Sequence, residues 1–128
     1  MFLPYSFDDS HNDAFEYHVA DAEMELHVGM ALRFDGGVLV PATGATTPEY
    51  ISMTGNKITG GGEKIAVMRV AKDVVYETEL ATANETIACG EKYTIDGDGC
   101  KITATTGGAA QVVNFDGTAS GAKVRVRF

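Results

Sequence analysis

Shifted by 61 positions, the chain lies over itself without a gap: "FEYHVADAEMELHVGMALRFDG", Phe15 to Gly36, falls on "YETELATANETIACGEKYTIDG", Tyr76 to Gly97. Glu16 meets Glu77, Ala20 meets Ala81, Gly29 meets Gly90, and Asp35-Gly36 meets Asp96-Gly97. Apolar positions agree as well: Phe15 with Tyr76, Val19 with Leu80, Leu26 with Ile87, Val28 with Cys89, Leu32 with Tyr93 and Phe34 with Ile95. Both copies close alike, "GGGEKIAVMRV" at Gly60–Val70 against "ASGAKVRVRF" at Ala119–Phe128. A self-match at fixed period is the signature of a repeated structural unit. The sequence therefore reads as two related units, residues 15–71 and 72–128, packed as one compact domain behind an unrepeated N-terminal arm, residues 1–14. The joining segment "AKDVV", 71–75, has neither Pro nor a Gly/Ser tract, so close contact between the halves is expected.

What each unit is made of follows from its period. "EKIAVMRV" and "AKVRVRF" alternate strictly, with Ile65, Val67 and Arg69 on one face and Ala66, Met68 and Val70 on the other, as in strands buried on one side. Fifteen glycines and frequent valines and threonines favour strands and tight turns over helices. The expected fold is all-β, a β-sandwich or barrel-like body built by internal duplication. Strands are expected at about 15–19, 24–28, 30–35, 38–41, 49–54 and 63–70, then 75–80, 85–89, 92–96, 100–105, 110–115 and 121–128. Asp35-Gly36-Gly37 and Asp96-Gly97-Asp98-Gly99 read as hairpin turns that need positive φ.

With 128 residues, 45% of them hydrophobic, the chain has the material for one core or two very small ones. Ten basic residues against 18 acidic give a net charge of −8, which opposes binding to nucleic acid or to an anionic membrane surface. Nothing in the sequence approaches a membrane span, and "MFLPYSFDDSHND" lacks the basic start, apolar core and cleavage site of a signal peptide, so cytoplasmic synthesis is expected. Two cysteines are too few for a disulfide scaffold. Cys89 stands where the first copy has Val28 and is expected in the core.

Candidate chemistry is sparse. Asp96 and Asp98 have the spacing of the first two ligands of a calcium loop, but its twelfth position is Gly107 where a bidentate Glu is needed, so no metal is expected. His11, His18 and His27 lie among Asp8, Asp9, Asp13, Glu16, Asp21, Glu23 and Glu25 without zinc spacing, and read as solvated strand faces. "TGGGEK", 59–64, precedes a strand and is a turn rather than a phosphate loop. Asn84-Glu85-Thr86 matches the glycosylation pattern, which is without consequence in the absence of secretion. Carboxylate pairs for glycosidic chemistry need only closeness in space, and the spacing singles none out. No enzyme activity and no cofactor are expected.

The arm is the unusual segment, because it concentrates Phe2, Leu3, Pro4, Tyr5 and Phe7 outside the repeat. Such a tail needs a surface to cover its apolar side chains, either the chain's own core or a partner's. "ATGATTPEY", Ala42 to Tyr50, reads as a connector in which Pro48 holds Thr47 extended before a strand at Tyr50, and it is a second place for contact.

"GMALRFDGGVLVPATGATTPEYISM", followed by "GEKIAVMRV" and a closing "GAKVRVRF", resembles the small head decoration proteins of tailed bacteriophages. The likeness lies in the order of a glycine, a strand, an Asp-Gly turn, a strand running to a "TxPxYI" loop, then a glycine turn and strand. It covers most of residues 21–128 and leaves out the arm. It implies a virion protein, made in the host cytoplasm, that binds the outside of the expanded head through the major capsid protein, as a monomer or a homotrimer, and reinforces the shell. No catalytic residues come with it. Phe2, Leu3, Tyr5 and Phe7 of the arm, with Pro48 and Tyr50, are the expected capsid or subunit contacts, and a chain starting at Asp13 is expected to fold but to bind less. The alternative from another class is a carbohydrate-binding β-sandwich module for surface adhesion, disfavoured by the absence of Trp and by only five Tyr.

Overall fold

The computed structural model describes residues 1–7 and 15–128. Thirteen strands form in chain order among them: β1 Leu3–Phe7, β2 Glu16–Val19, β3 Glu25–Leu26, β4 Ala31–Asp35, β5 Val38–Pro41, β6 Tyr50–Ser52, β7 Lys57–Ile58, β8 Lys64–Arg69, β9 Val74–Glu79, β10 Lys92–Ile95, β11 Ile102–Thr106, β12 Ala110–Phe115 and β13 Lys123–Arg127. The described chain is all-β, with no helix and no closed barrel, an arrangement consistent with a β-sandwich.

Two larger antiparallel sheets carry the body. One has the order β2-β8-β6-β4-β5, the other β1-β9-β13-β12-β10-β11. Without β1, each sheet runs first, fifth, fourth, second, third in the sequence order of its own strands. The likeness extends to single hydrogen bonds. Ala20 N–H donates to the Glu63 carbonyl (2.9 Å) as Leu80 N–H does to that of Ala122 (3.0 Å), and Asp21 N–H donates to Leu39 (2.9 Å) as Ala81 N–H does to Ile102 (2.8 Å). One-residue parallel bridges, Ala20 to Leu39 and Leu80 to Ile102, curl the end of the first strand of each sheet toward the third.

Side-chain alternation sorts the core. Val74, Tyr76, Tyr93, Ile102, Val112, Val124 and Val126 of the second sheet form one buried cluster, which also holds Ala31, Ala42 and Ile51 of the first unit. The other cluster belongs to the first unit, where Leu32, Leu39, Tyr50, Ile65 and Val67 pack beneath Met24 and Leu26 of the β2–β4 connection. As the alternation requires, Ile65 and Val67 are buried while Ala66 and Met68 are only half-buried. A core shared across residues 15–71 and 72–128 packs the two halves against each other, and Gly44 and Ile95 exchange backbone hydrogen bonds across the junction (2.9 Å each way).

Several local expectations need correction. Residues 85–89 form no strand; they make a turn held by Asn84, whose Oδ1 accepts from Thr86 N–H at 3.2 Å. In that turn Cys89 is exposed rather than in the core. In place of a strand over 24–28 there is only the two-residue β3, paired with β7. Gly36 and Gly37 both take positive φ in the first hairpin, whereas in the second the left-handed residue is Gly99 and not Gly97. That longer turn is held by Asp96, whose Oδ1 accepts from the N–H groups of Cys100 (3.0 Å) and Lys101 (3.1 Å).

Candidate functional site: an interaction face on the six-stranded sheet

The arm folds onto the chain itself. β1 pairs antiparallel with β9 and extends the second sheet, matching Leu3 to Glu77, Pro4 to Tyr76, Ser6 to Val75 and Phe7 to Val74. Alternation then separates its side chains. Phe2 is fully buried, edge-on to Phe128 with ring centroids 5.3 Å apart. Its N–H donates to the Gly29 carbonyl at 2.8 Å. A side chain at Gly29 is impossible here, since a Cβ would stand 2.4 Å from Met1 Cγ and 2.9 Å from Phe2 N. Leu3 and Tyr5 point the other way and stay 40% and 54% exposed.

Of the expected contact residues, Leu3 and Tyr5 are therefore on the surface, while Phe2 is a core side chain. Phe7 is the last residue of β1. Pro48 and Tyr50 are buried, which removes them from the outward surface of the described chain. Their loop serves the chain internally: Ala42 is in the shared core, Gly44 pairs with Ile95, and Glu49 N–H donates to Leu32 at 2.9 Å. The sequence missed that destination because a Gly/Thr connector looks the same whether it meets a partner or the other half of its own chain.

Beside Leu3 and Tyr5 lies a ladder of paired charges on the same outer face. Arg125 is its centre. Its Nε donates to Glu77 Oε2 (3.0 Å), Nη1 to Asn114 Oδ1 (3.2 Å) and Asp116 Oδ1 (2.5 Å), and Nη2 to Asp116 Oδ2 (3.2 Å). The guanidinium carbon stands 4.8 Å from the centre of the Tyr5 ring, a cation–π contact that fixes the ring on the sheet. Hydrogen bonding to Asp116 raises the Arg125 pKa further above its ordinary value. Next along the sheet, Glu79 accepts from Lys123 Nζ at 2.8 Å and has Lys101 Nζ at 3.8 Å. The Lys123 bond holds its carboxyl below the usual range. A cleft of about 460 Å³ opens at the end of this face, between Leu3, Val28, Asn56, Glu79, Asp98 and Lys101. Leu3 and Tyr5 are thus exposed apolar side chains rimmed by fixed charges on the outer face of the sheet.

The first unit carries a second polar cluster, on β2, β6 and β8. Glu16 accepts two bonds from Arg69, at 2.9 Å each, and lies 3.1 Å from His18 Nε2. The Arg69 bond, then that of His18, lowers the Glu16 pKa. His18 packs edge-on against Phe34 and tilted against Tyr50, at centroid distances of 5.1 and 5.0 Å, so it belongs to an aromatic packing cluster. His27 faces Glu25 at 3.5 Å in the connection that follows, while His11, Asp8, Asp9 and Asp13 lie outside the described residues. Among the described residues no three His, Cys, Asp or Glu side chains are placed to hold a metal ion. Asn84 of the glycosylation pattern is only 4% exposed and serves as a turn anchor.

Comparison with protein-family models, with curated proteins and with solved structures finds no match to this chain.

Proposed function

We propose that this chain is a structural protein that decorates the outside of an expanded bacteriophage head and stabilises the shell through contacts with the major capsid protein. The observation that carries the reading is the row of Leu3 and Tyr5 on β1, held outward by burial of Phe2 beneath and by Arg125 beside. The resemblance of residues 21–128 to head decoration proteins supplies the class of partner. In this reading the duplicated β body is a rigid carrier and β1 presents the contact. Each copy adds modest affinity, and the many equivalent sites of the shell multiply it.

Co-sedimentation with expanded heads tests this. The full chain is expected to bind saturably at a fixed ratio to the shell protein. Replacing Leu3 and Tyr5 together by Ser removes two exposed anchors and is expected to weaken binding about tenfold or more, as loss of interface anchors does. Saturable binding that ignores both substitutions would move the interface elsewhere. No binding to any head form, with retention on glycans instead, would replace the reading by the carbohydrate-binding one.

A further inference from the structure

The β10–β11 hairpin is two residues longer than its counterpart in the first unit. Four residues separate the paired Phe34 and Leu39, and six separate the paired Ile95 and Ile102. A two-residue turn already closes such a hairpin, so the extra length serves something else. The longer turn is pinned to the first unit, where Ala31 N–H donates to the Gly99 carbonyl at 2.8 Å. Within it, Gly99 N–H donates to the Asp96 carbonyl at 3.0 Å and the Cys100 thiol to the Asp98 carbonyl at 3.4 Å. So held, Asp98 stands on the wall of the cleft of about 460 Å³ that Leu3 of the arm and Val28 and Asn56 of the first unit complete. That volume accommodates a small ligand or a long side chain.

The charges around the cleft are committed except at one place. Glu79 is held by Lys123 (2.8 Å) and Lys101 (3.8 Å), and Glu77 by Arg125 (3.0 Å). Asp96 accepts from the N–H groups of its own turn, and the Met1 amino group donates to the Cys100 carbonyl. The exposed Asp98 carboxylate has no hydrogen-bond or ion-pair partner among the described residues, and neither has the Asn56 side-chain amide. Asn56 is fixed in the wall by a left-handed backbone, with φ 58°. Four carboxylates line the cleft against two lysines and the amino group, so an anion is opposed and a cation favoured. We propose that this cleft is a socket for one lysine or arginine side chain of the partner protein. The alkyl stem lies against Leu3 and Val28, and the charged head bonds Asp98 and the Asn56 amide oxygen. A socket whose acceptors are already held in place binds with little ordering cost. The inference deepens the capsid reading and rests on it for the identity of the partner.

Nuclear magnetic resonance titration of the full chain with n-butylammonium and n-propylguanidinium, the two side chains without their backbone, tests the socket by itself. Both cations are expected to shift the amides of Asp98, Gly99 and Asn56 along one saturable curve, and n-butanol to leave them in place. Asp98→Asn should abolish the response with the rest of the spectrum unmoved, whereas Asp35→Asn in the first hairpin should preserve it. Co-sedimentation with expanded heads reads the same socket with its partner. There Asp98→Asn should weaken binding about tenfold, and Asp98→Lys by more. Cations that shift no cleft amide, or shift them equally in Asp98→Asn, would overturn the socket. Heads that take up the Asp98 variants as well as the original chain would also overturn it, with the capsid reading left standing. Heads that take up no chain at all would overturn the capsid reading, while shifts that depend on Asp98 would still support the socket.

Discussion

Phe2 and Leu3 are neighbours with opposite roles, one fully buried against Phe128 and the other 40% exposed beside the charged ladder. The sequence marked both as apolar residues of an unrepeated arm. It left their division open, since period-2 sorting has meaning only once β1 has a strand to pair with. Tyr50 shows the same gap from the other side: at the start of a strand after the connector it was expected to make an outward contact, yet it is 2% exposed, with its hydroxyl 3.0 Å from Arg69 Nη2. A consequence for acid stability also belongs at this scale. Glu79, bonded first by Lys123, and Glu16, bonded first by Arg69, have pKa values below the ordinary 4.5. The unfolded chain then binds protons at a higher pH than the folded one, so the stabilisation is complete above the ordinary value and is lost as pH falls below it, through the lowered ones. Urea midpoints measured against pH should stay level above that value and decline below it. A midpoint that stays level through the acid range would contradict the assignment.

Among the elements, the alternating runs were plain in the sequence: β4, β5, β8, β10, β11, β12 and β13 all lie within a residue or two of their expected places. Strands β3 and β7 were not foreseen as a pair, because two residues carry no readable period. The repeat was legible but not in perfect register. Gly29 and Gly90 correspond as the 61-residue shift requires, and both take positive φ. The first strands do not, for the parallel bridges place Ala20 with Leu80 and thus Tyr17 with Glu77. The second connection is one residue longer, ten steps from Leu80 to Gly90 against nine from Ala20 to Gly29, and a gapless comparison absorbs that residue as a false match. The arm takes one of the two surfaces the sequence left open to it, the chain's own, and becomes an edge strand of the second sheet. A chain beginning at Asp13 lacks both this strand and the Phe2 ring. Loss of a buried Phe side chain alone costs about 3–5 kcal/mol. Contrary to the expectation from sequence, such a chain should melt well below the full protein, with faster amide exchange along β9. Equal melting temperatures would mean that β1 contributes little to the fold.

For the whole molecule, two sheets with one strand order share a core through Ala31, Ala42 and Ile51, so the chain behaves as a single carrier with distinct surfaces. β1 offers Leu3 and Tyr5, and the cleft beside it offers Asn56 and Asp98. The fold class could be read from composition and period, while the position of these surfaces could not, because it depends on which sheet the arm joins. On the proposed reading, the net charge of −8 would give the protein no attraction for packaged DNA. Binding alone would not establish reinforcement, so the most direct measurement is calorimetric melting of expanded phage heads with and without saturating protein. Reinforcement predicts that the shell transition moves to higher temperature in proportion to occupancy, and that the Leu3→Ser, Tyr5→Ser chain gives a smaller shift at the same concentration. A shell transition unchanged at full occupancy would contradict it.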